Sequence, residues 1–507
     1  MPRFYERDAT GAIVERPLPE LVEAPRPNVR LRSVTEQQIK TKLQLTGAIR
    51  AAALADVMHA PVASRLVPED LTRRAHVLHV AVGNYTDAGF ADLAARVGQL
   101  EGFSVVVRVA PGSEWAEYLS HTPGLVVITL PARQYTWTED VTEIGLDGTF
   151  HMTARMGNRG LLRRSLFIDR MRRFYPDLTP TDLRRINELP EVQDRPPGEL
   201  PAHVMRRYPD ILFDIQGLVE RDAAQQVGAA MAAARGAELR EGMTYLEGGN
   251  VLVGRLPSGE PHVLVGRDSA AVAATVLAHH LGRPVSEAEV IAAMAKDLGA
   301  DPRHVVLVEQ PGVFHLDLAM TLLAPGTVVL NDAFEAFRQQ TAWLRDDHAA
   351  WRPRREAAAS EERYLRDLDL WQQAGRTLEE TIQKLWKYTE RLARYEGRAL
   401  SDLQAAGLTV LRVAGRFLHP ASPSDRDIMN FLNGEAGTNP RGGTYVITQG
   451  GDPRAERYIA GQLLAPGTGL ERLYVAPRLI SRDTLWERGG IGCRVKAEGE
   501  IVGLEAP

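Results

Sequence analysis

Short hydrophobic runs alternate with amphipathic segments along much of the chain. Residues 77–82, 103–109 and 125–130 are apolar runs of strand length, and residues 87–100 carry apolar positions at helical spacing. Short apolar runs predict strands, and apolar positions three and four apart predict a helix. The pattern therefore predicts a strand–helix–strand unit followed by a further strand.

Comparable units recur later in the chain. They lie around residues 211–265, 270–323, 408–448 and 452–475, and they share the order of elements but little residue identity. A repeated order of this kind is typical of repeat architectures. Several units that each direct one strand-end loop towards a common centre would bring distant motifs together.

Four segments depart from this alternation. Residues 1–35 carry prolines among charged residues, which predicts an extended arm lying on the surface, and residues 35–58 predict one amphipathic helix. Residues 161–209 combine helical patches with prolines and predict a connecting excursion. Residues 333–404 are highly charged, with leucines and tryptophans at helical spacing, and predict a helical insertion. Both signs of charge are interleaved there, so a packed hairpin is favoured over a partner-binding arm.

Composition and charge exclude several classes of protein. The 507 residues are 44% hydrophobic and 25% charged, as in ordinary globular proteins. A formal net charge of -5 gives no broad basic surface, so nucleic acid is not an expected partner. No apolar run approaches the roughly 18 residues of a membrane span, and the N-terminus has no signal-peptide core. A soluble, cytoplasmic protein with no membrane partner is expected, and a homo-oligomer is left open.

Cys493 is the only cysteine of the chain and follows the glycine-rich step 489–492. Glycines let the backbone bend sharply and let a small electrophile approach the thiol. One cysteine excludes a disulfide framework and a cysteine-rich metal site, and it fits a reducing compartment. A lone thiol is more often a small buried hydrophobe, so it becomes a nucleophile candidate only if histidine and carboxylate partners exist.

Such partners occur in three upstream motifs. These are residues 137–145 with Asp140, residues 247–250 with Glu247, and residues 314–317 with His315 and Asp317. Each motif ends or interrupts an apolar run, so each places its polar side chains at a predicted strand end, where active sites are common. A helix cap, a strand-end carboxylate or a buried histidine would explain any one of them alone. Their joint occurrence favours a catalytic site.

Together these motifs resemble the guanidine-modifying cysteine hydrolases and transferases, which include arginine, agmatine and protein-arginine deiminases. The resemblance covers residues 75–500 and is strongest to the catalytic domain of protein-arginine deiminases. Residues 137–145 resemble that family's Trp-x-x-Asp-x-x-Glu-Ile-Gly motif, and residues 158–161 its Asn-Arg-Gly-Leu motif. Residues 249–251 and 266–269 also match the family's order of motifs.

The resemblance implies a fold and a domain organisation. The expected fold is α/β, a five-bladed, propeller-like pentein built from ββαβ repeats, with a helical insertion. We expect an N-terminal arm and helix over residues 1–75, and the first part of the catalytic domain over 76–332. The helical insertion then covers 333–404, and the last part of the catalytic domain, with the nucleophile, covers 405–507.

Two departures from the family pattern concern the substrate. The family's cysteine is preceded by a histidine and followed by a Gly-Thr-Asn-like run, whereas Gly492 precedes Cys493 here and Arg494 and Val495 follow it. Glu247 is an acidic residue that the small-molecule arginine deiminases have and that protein-arginine deiminases lack.

The chemistry of a guanidinium explains the residue types. This cation is planar and keeps its protons, so its site needs carboxylates that accept paired N–H donors, and Asp140 and Asp317 suit that role. Cys493 attacks the guanidinium carbon as a thiolate, whose pKa must be lowered by a cation, either His315 or the substrate itself. His315 protonates the departing ammonia and then activates water, oriented by Glu247.

Further residues are expected to contact the substrate or a metal. Asn250, Arg155 and Arg159 are candidates for binding the substrate, the two arginines through a carboxylate or a peptide carbonyl. The resemblance to calcium-dependent protein-arginine deiminases makes Glu139 and Glu143 candidate oxygen ligands of calcium. The chemistry itself requires no cofactor.

Several activities fit these residues. Deimination of peptidyl-arginine to citrulline ranks slightly first, because motifs 137–145 and 158–161 are the longer matches. Glu247 and the lack of immunoglobulin-like N-terminal domains favour free arginine or an agmatine-type small guanidine. An amidinotransferase would use the same residues with an amine in place of water, and a non-catalytic binding protein is the alternative of another class. The partner is therefore a small guanidine or an arginine-containing peptide.

Overall fold

The computed structural model describes residues 2–22, 29–132, 136–154, 225–311, 315–418, 428–481 and 489–502, and within these ranges the fold is mixed α/β. The strands are β1 Arg3–Arg7, β2 Ile13–Pro17, β3 Arg73–Ala81, β4 Ser104–Val109, β5 Leu125–Thr129, β6 Glu143–Ile144, β7 Phe150–Met152, β8 Leu239–Glu241, β9 Val251–Arg255, β10 Pro261–Gly266, β11 Val305–Val308, β12 Met320–Leu322, β13 Thr327–Asn331, β14 Thr409–Val413, β15 Arg416–Leu418, β16 Ile428–Asn430, β17 Glu435–Thr438, β18 Thr444–Thr448, β19 Arg472–Val475 and β20 Val495–Ile501. The helices are α1 Glu36–Ala55, α2 Tyr85–Glu101, α3 Glu114–Ser120, α4 Arg267–Leu281, α5 Glu287–Leu298, α6 Ala333–Ala350, α7 Glu361–Ala405 and α8 Pro453–Leu463. Residues 225–235 are also helical.

One pairing pattern recurs in five sheets of the described residues. In each sheet a central strand pairs antiparallel with one neighbour and parallel with the other, and at least one described helix lies between the two parallel strands in the chain, as is usual for the crossover that parallel pairing requires. The strand triplets are β20-β3-β4, β6-β7-β8, β9-β10-β11, β12-β13-β14 and β17-β18-β19. This recurrence agrees with the predicted ββαβ units. The arrangement of the sheets as blades of a propeller stays a prediction.

The first predicted unit is confirmed within a few residues as β3, α2, β4 and β5. Helix α2 begins where the Asn84 side chain accepts a hydrogen bond from the backbone N–H of Asp87, and it ends at Gly102. Gly102 has a φ of 84°, a left-handed conformation that glycine adopts at little cost. Leu78 of β3 and Phe90 of α2 are buried in one core.

The prediction of a surface-lying N-terminal arm is wrong. Strand β1 pairs antiparallel with both β2 and β19, and it extends the sheet of β17 and β18. Tyr5 in this strand is 1% exposed. Pro17 is compatible with the hairpin because β2 is the edge strand, where a missing N–H donor costs no ladder bond.

Helices α6 and α7 lie in the range predicted as a helical insertion and pack against each other. The Trp371 indole donates a hydrogen bond to the His348 carbonyl at 2.9 Å, and the two rings stack with centroids 4.6 Å apart. Trp386 packs on Phe334 and Phe337. Among the helices of the described ranges, none is both long and apolar enough to cross a bilayer.

The fold brings three short turns together. The 3-10 turns Glu139–Val141, Gly248–Asn250 and Gly492–Arg494 precede β6, β9 and β20, and the first contacts the other two. The backbone N–H of Asp317 donates to the Gly249 carbonyl at 3.1 Å, which adds a fourth segment. Loops of different sheets therefore converge at one place.

Candidate active site

Cys493 lies in the last of these turns and is 3% exposed. The preceding glycines are required by close packing. A Cβ at Gly490 would collide with the Asn433 side chain, and a Cβ at Gly489 would collide with the Trp137 ring. The glycine-rich step thus lets the segment that leads to Cys493 approach its neighbours closely.

Two polar side chains contact the thiol directly. The Cys493 S–H donates to Asp317 Oδ2 at 3.0 Å, and the Asn433 amide donates to the sulfur at 3.1 Å. The same amide is 2.5 Å from Asp317 Oδ2, and its oxygen accepts the backbone N–H of Cys493 at 3.3 Å. Asn433 therefore contacts both the Cys493 thiol and the Asp317 carboxylate.

The sequence analysis did not identify Asn433. The signal available was an asparagine followed by Gly434, directly after residues 428–432, which are apolar except for Asn430. Asparagine before glycine is common in turns, so this signal points to a turn as readily as to a site.

His315 lies between two sets of acids. Its Nε2 is 2.7 Å from Glu247 Oε2, while its Nδ1 faces Asp140 Oδ1 at 3.7 Å and Asp317 Oδ1 at 4.0 Å. The Tyr245 hydroxyl donates to Glu247 Oε1 at 2.9 Å, another contact that the sequence analysis missed. The pairing with Glu247 makes Nε2 the N–H donor and directs Nδ1 towards the carboxylates.

The glycines of motif 247–250 are also explained by proximity. A Cβ at Gly249 would collide with the His315 ring, and a Cβ at Gly248 would collide with the Glu139 carbonyl. Only glycine lets the backbone pass this close to both neighbours.

Asn250 does not have the position expected of a substrate ligand. It is fully buried, and its Oδ1 accepts the backbone N–H of Leu316 at 3.2 Å and the side-chain amide of Gln310 at 3.4 Å. Asn250 therefore holds the backbone beside His315. Its contact with substrate stays a prediction.

The two carboxylates predicted to bind a guanidinium each have an oxygen that points towards His315. Asp140 Oδ1 and Asp317 Oδ1 are buried and have no hydrogen-bond partner among the described residues. A buried polar oxygen without a partner is costly. These oxygens are therefore available to a ligand with N–H donors.

Arg155 and Arg159, predicted to contact the remainder of the substrate, lie outside the described residues. Their role stays a prediction.

The protein environment favours the neutral thiol. Burial, followed by the negative charges of Asp317, Glu139 and Asp140, raises the pKa of Cys493 well above its ordinary range. Burial also raises the pKa of Asp317, although His315 opposes this effect. Either of the two cations expected to lower the thiol pKa, protonated His315 or the substrate, would offset the surrounding carboxylates.

The predicted calcium ligands Glu139 and Glu143 do not form an oxygen cage of the expected kind. Glu143 Oε2 is 2.5 Å from the ammonium of Lys496, which is also 2.8 Å from Glu69 Oε1. An ammonium at this distance occupies the side of Glu143 that a cation would need. Glu139 is 7% exposed, and its Oε2 has no hydrogen-bond partner among the described residues. The residues present therefore do not fit the implied calcium site.

A small cavity of about 30 Å³ lies beside the site. Glu139, Asp140 and Gly248 belong to its wall, and Arg240 and Asp297 line it further away. Cys493 and His315 are not among the described residues that line it. It is therefore a space next to the thiol and is not lined by it.

No protein-family model matches the chain, and no curated protein matches its sequence. Three solved structures are similar to it over most of their length. The first is a structural-genomics target provisionally assigned as an agmatine deiminase, with 12% identity, a TM-score of 0.47, and 86% of this chain and 96% of that chain covered. Agmatine deiminase of Enterococcus faecalis has 13% identity, a TM-score of 0.43 and coverages of 86% and 100%. DDAH from Pseudomonas aeruginosa, complexed with citrulline, has 10% identity, a TM-score of 0.29 and coverages of 83% and 99%.

Proposed function

We propose that this protein hydrolyses a guanidinium group through a covalent intermediate on Cys493. The observation that carries the proposal is the pair of buried oxygens on Asp140 and Asp317, beside the thiol and His315, to which the described part of the chain offers no hydrogen-bond partner. A guanidinium supplies in-plane N–H donors and a positive charge, and both match this pair of carboxylates.

The entering cation activates the nucleophile. Its charge offsets the carboxylates that raise the pKa of Cys493. The S–H proton passes by way of Asp317 Oδ2, 3.0 Å from the sulfur, to Nδ1 of His315, and the sulfur becomes a thiolate. The thiolate then forms a bond with the central guanidinium carbon, which gives a tetrahedral adduct.

His315 acts as the general acid in the first half of the reaction and as the general base in the second. It protonates one amino group of the adduct, ammonia leaves, and a thiouronium remains on the sulfur. It then accepts a proton from water as the water attacks the same carbon. Cleavage of the carbon–sulfur bond returns the thiol and releases a urea-type product. Glu247, 2.7 Å from Nε2, holds the ring in position and stabilises its charged form.

Two observations support a small guanidine as the substrate over peptidyl-arginine, which ranked slightly first from sequence. Cys493, His315 and Asp317 are between 1% and 6% exposed, an enclosure that suits a small molecule better than a polypeptide. Glu247, the acid expected in small-molecule enzymes, contacts His315. We therefore propose free arginine or an agmatine-type amine as the substrate class.

A substrate panel tests this proposal. L-arginine, agmatine and an N-acylated arginine amide are offered separately, with calcium and with a chelator, and ammonia and the urea-type product are measured. Turnover of the free amino acid or of agmatine is the expected result. Turnover of the acylated amide alone would indicate that peptidyl-arginine is the substrate. Product that forms only with an added amine, without ammonia, would indicate an amidinotransferase, and turnover of none would overturn the function.

A metal-dependent hydrolase is a second candidate, favoured by one observation. Donor atoms of His315, Asp317 and Cys493 lie within 4.8 Å of one another, and these residue types can bind Zn²⁺. Elemental analysis of the purified protein tests it. One zinc per chain, with activity lost on chelation and recovered on readdition, would replace the cysteine mechanism.

A further inference from the structure

Lys496 is a buried ammonium among carboxylates. It is 5% exposed, and its Nζ lies 2.8 Å from Glu69 Oε1 and 2.5 Å from Glu143 Oε2. Glu139 is a third carboxyl group close enough to affect it, and burial raises the pKa of Glu139 itself well above its ordinary value. Buried carboxylates need a nearby cation, which a protein can supply from a side chain or from a bound metal.

Because of the position of Lys496 along the chain, its ion pair with Glu143 also links two segments of the candidate site. Lys496 follows Cys493 by three residues in β20, and Glu143 follows Asp140 by three residues in β6. The Lys496–Glu143 ion pair therefore joins the strand that follows the proposed nucleophile to the strand that follows the proposed guanidinium ligand. Glu69, which precedes β3, attaches the same ammonium to a third segment.

We propose that Lys496 is the resident cation of this acidic cluster, taking the place between Glu69 and Glu143 that a divalent ion would otherwise occupy. The protein then needs no calcium for its fold or for its site. We further infer that the ion pair positions Cys493 relative to Asp140. This second part rests on the proposed function, whereas the first part does not.

The test uses two substitutions that remove the same charge. Lys496→Ala leaves space for a hydrated ion, whereas Lys496→Met fills most of that space with an uncharged side chain. Lys296→Ala is the control, since the Lys296 ammonium donates to backbone carbonyls such as that of Val57 at 2.9 Å. Thermal unfolding of each protein is followed in EDTA and in millimolar calcium.

We expect the Tm of the wild-type protein to be the same in both solutions. Lys496→Ala and Lys496→Met should each lower Tm in EDTA by about 3–5 °C, since an uncompensated buried charge is strongly destabilising in a chain of this size. Calcium should restore roughly 2 °C or more to the alanine variant and nothing to the methionine variant. Adding Glu143→Gln to Lys496→Ala should abolish the gain.

Two results would overturn the proposal. One is a wild-type Tm that falls in EDTA or rises in calcium by more than about 2 °C, a measurement that needs no variant. The other is an alanine variant that gains no more from calcium than Lys296→Ala does. Because these measurements need no substrate, they stand even if the proposed function fails.

The positioning role has its own readout. With a turned-over substrate, kcat of the alanine variant should fall at least tenfold and recover partly with calcium. If kcat and KM are both unchanged in the alanine variant, the proposed positioning role is wrong, whereas the proposal that Lys496 is the resident cation still stands.

Discussion

The thiol of Cys493 donates a hydrogen bond to Asp317 Oδ2 at 3.0 Å, so the proposed nucleophile and a proposed substrate ligand are already joined. The same carboxylate is, after burial, the largest influence that raises the thiol pKa. The thiol is therefore held neutral by the group that would receive the cationic substrate. Reactivity towards neutral reagents and reactivity towards a guanidinium should consequently differ.

This relationship predicts the pH dependence of alkylation. An acid whose pKa is raised stays protonated to higher pH, so Cys493 of the wild-type protein should react slowly with iodoacetamide at neutral pH. Asp317→Asn removes a negative charge, lowers the thiol pKa and should move the rise in alkylation rate to lower pH. Intact mass identifies the product without ambiguity, because Cys493 is the only cysteine.

Asp297→Asn is the matched control for that experiment. Asp297 is equally buried, but it accepts hydrogen bonds from Thr244 and the Met243 backbone and is not among the groups that shift the thiol pKa. Its substitution should lower Tm and leave the alkylation profile unchanged. A profile that does not move in Asp317→Asn would show that this carboxylate does not control the thiol.

Cys493→Ala and Cys493→Ser should abolish turnover while the protein stays folded. A hydroxyl is far less ionised than a thiol near neutral pH, so serine cannot replace the nucleophile. The check is ammonia release together with mass spectrometry after incubation with a haloacetamidine. Full activity of the serine variant, or a label on another residue, would assign the nucleophile elsewhere.

Asp140→Asn should lower kcat/KM by about 30- to 160-fold, which corresponds to roughly 2–3 kcal/mol of lost transition-state stabilisation. The reason is the loss of a charge-assisted partner for the guanidinium at a buried oxygen. Steady-state kinetics on the substrate identified by the panel measures the effect. An unchanged kcat/KM would remove Asp140 from the site.

Asn433→Ala should lower kcat about 10- to 100-fold, because a misplaced reacting group is costly. It should also raise the pH at which Cys493 is alkylated, since the N–H donor that stabilises the thiolate is lost. Asn439→Ala is the control. That amide is equally buried, but it donates to Glu101 at 2.8 Å. Equal effects of the two variants on kcat and on alkylation would mean that Asn433 serves only folding.

The sequence by itself predicted the local elements and the candidate residues of the site. Apolar runs predicted β3, β4 and β5, because a short apolar run favours a buried strand whichever strand it pairs with. The unique cysteine and the motifs around Asp140, Glu247 and His315 could be recognised because residue type and short-range order are written in the chain. The structure brings these residues within contact of one another.

Only the tertiary structure decided which distant residues complete the site. Asn433 contacts Cys493, and Lys496 contacts Glu69, across long stretches of chain. Likewise, β1 pairs with β19, which lies near the opposite end of the sequence. A segment predicted as a surface arm is therefore part of a sheet. The spacing and the composition of apolar residues show that one face of an element must be buried. They do not show which strand will pack on that face or which charged side chain will pair with a buried one. That choice depends on how the sheets pack, and so the cation beside Glu143 was predicted as calcium and found to be a lysine.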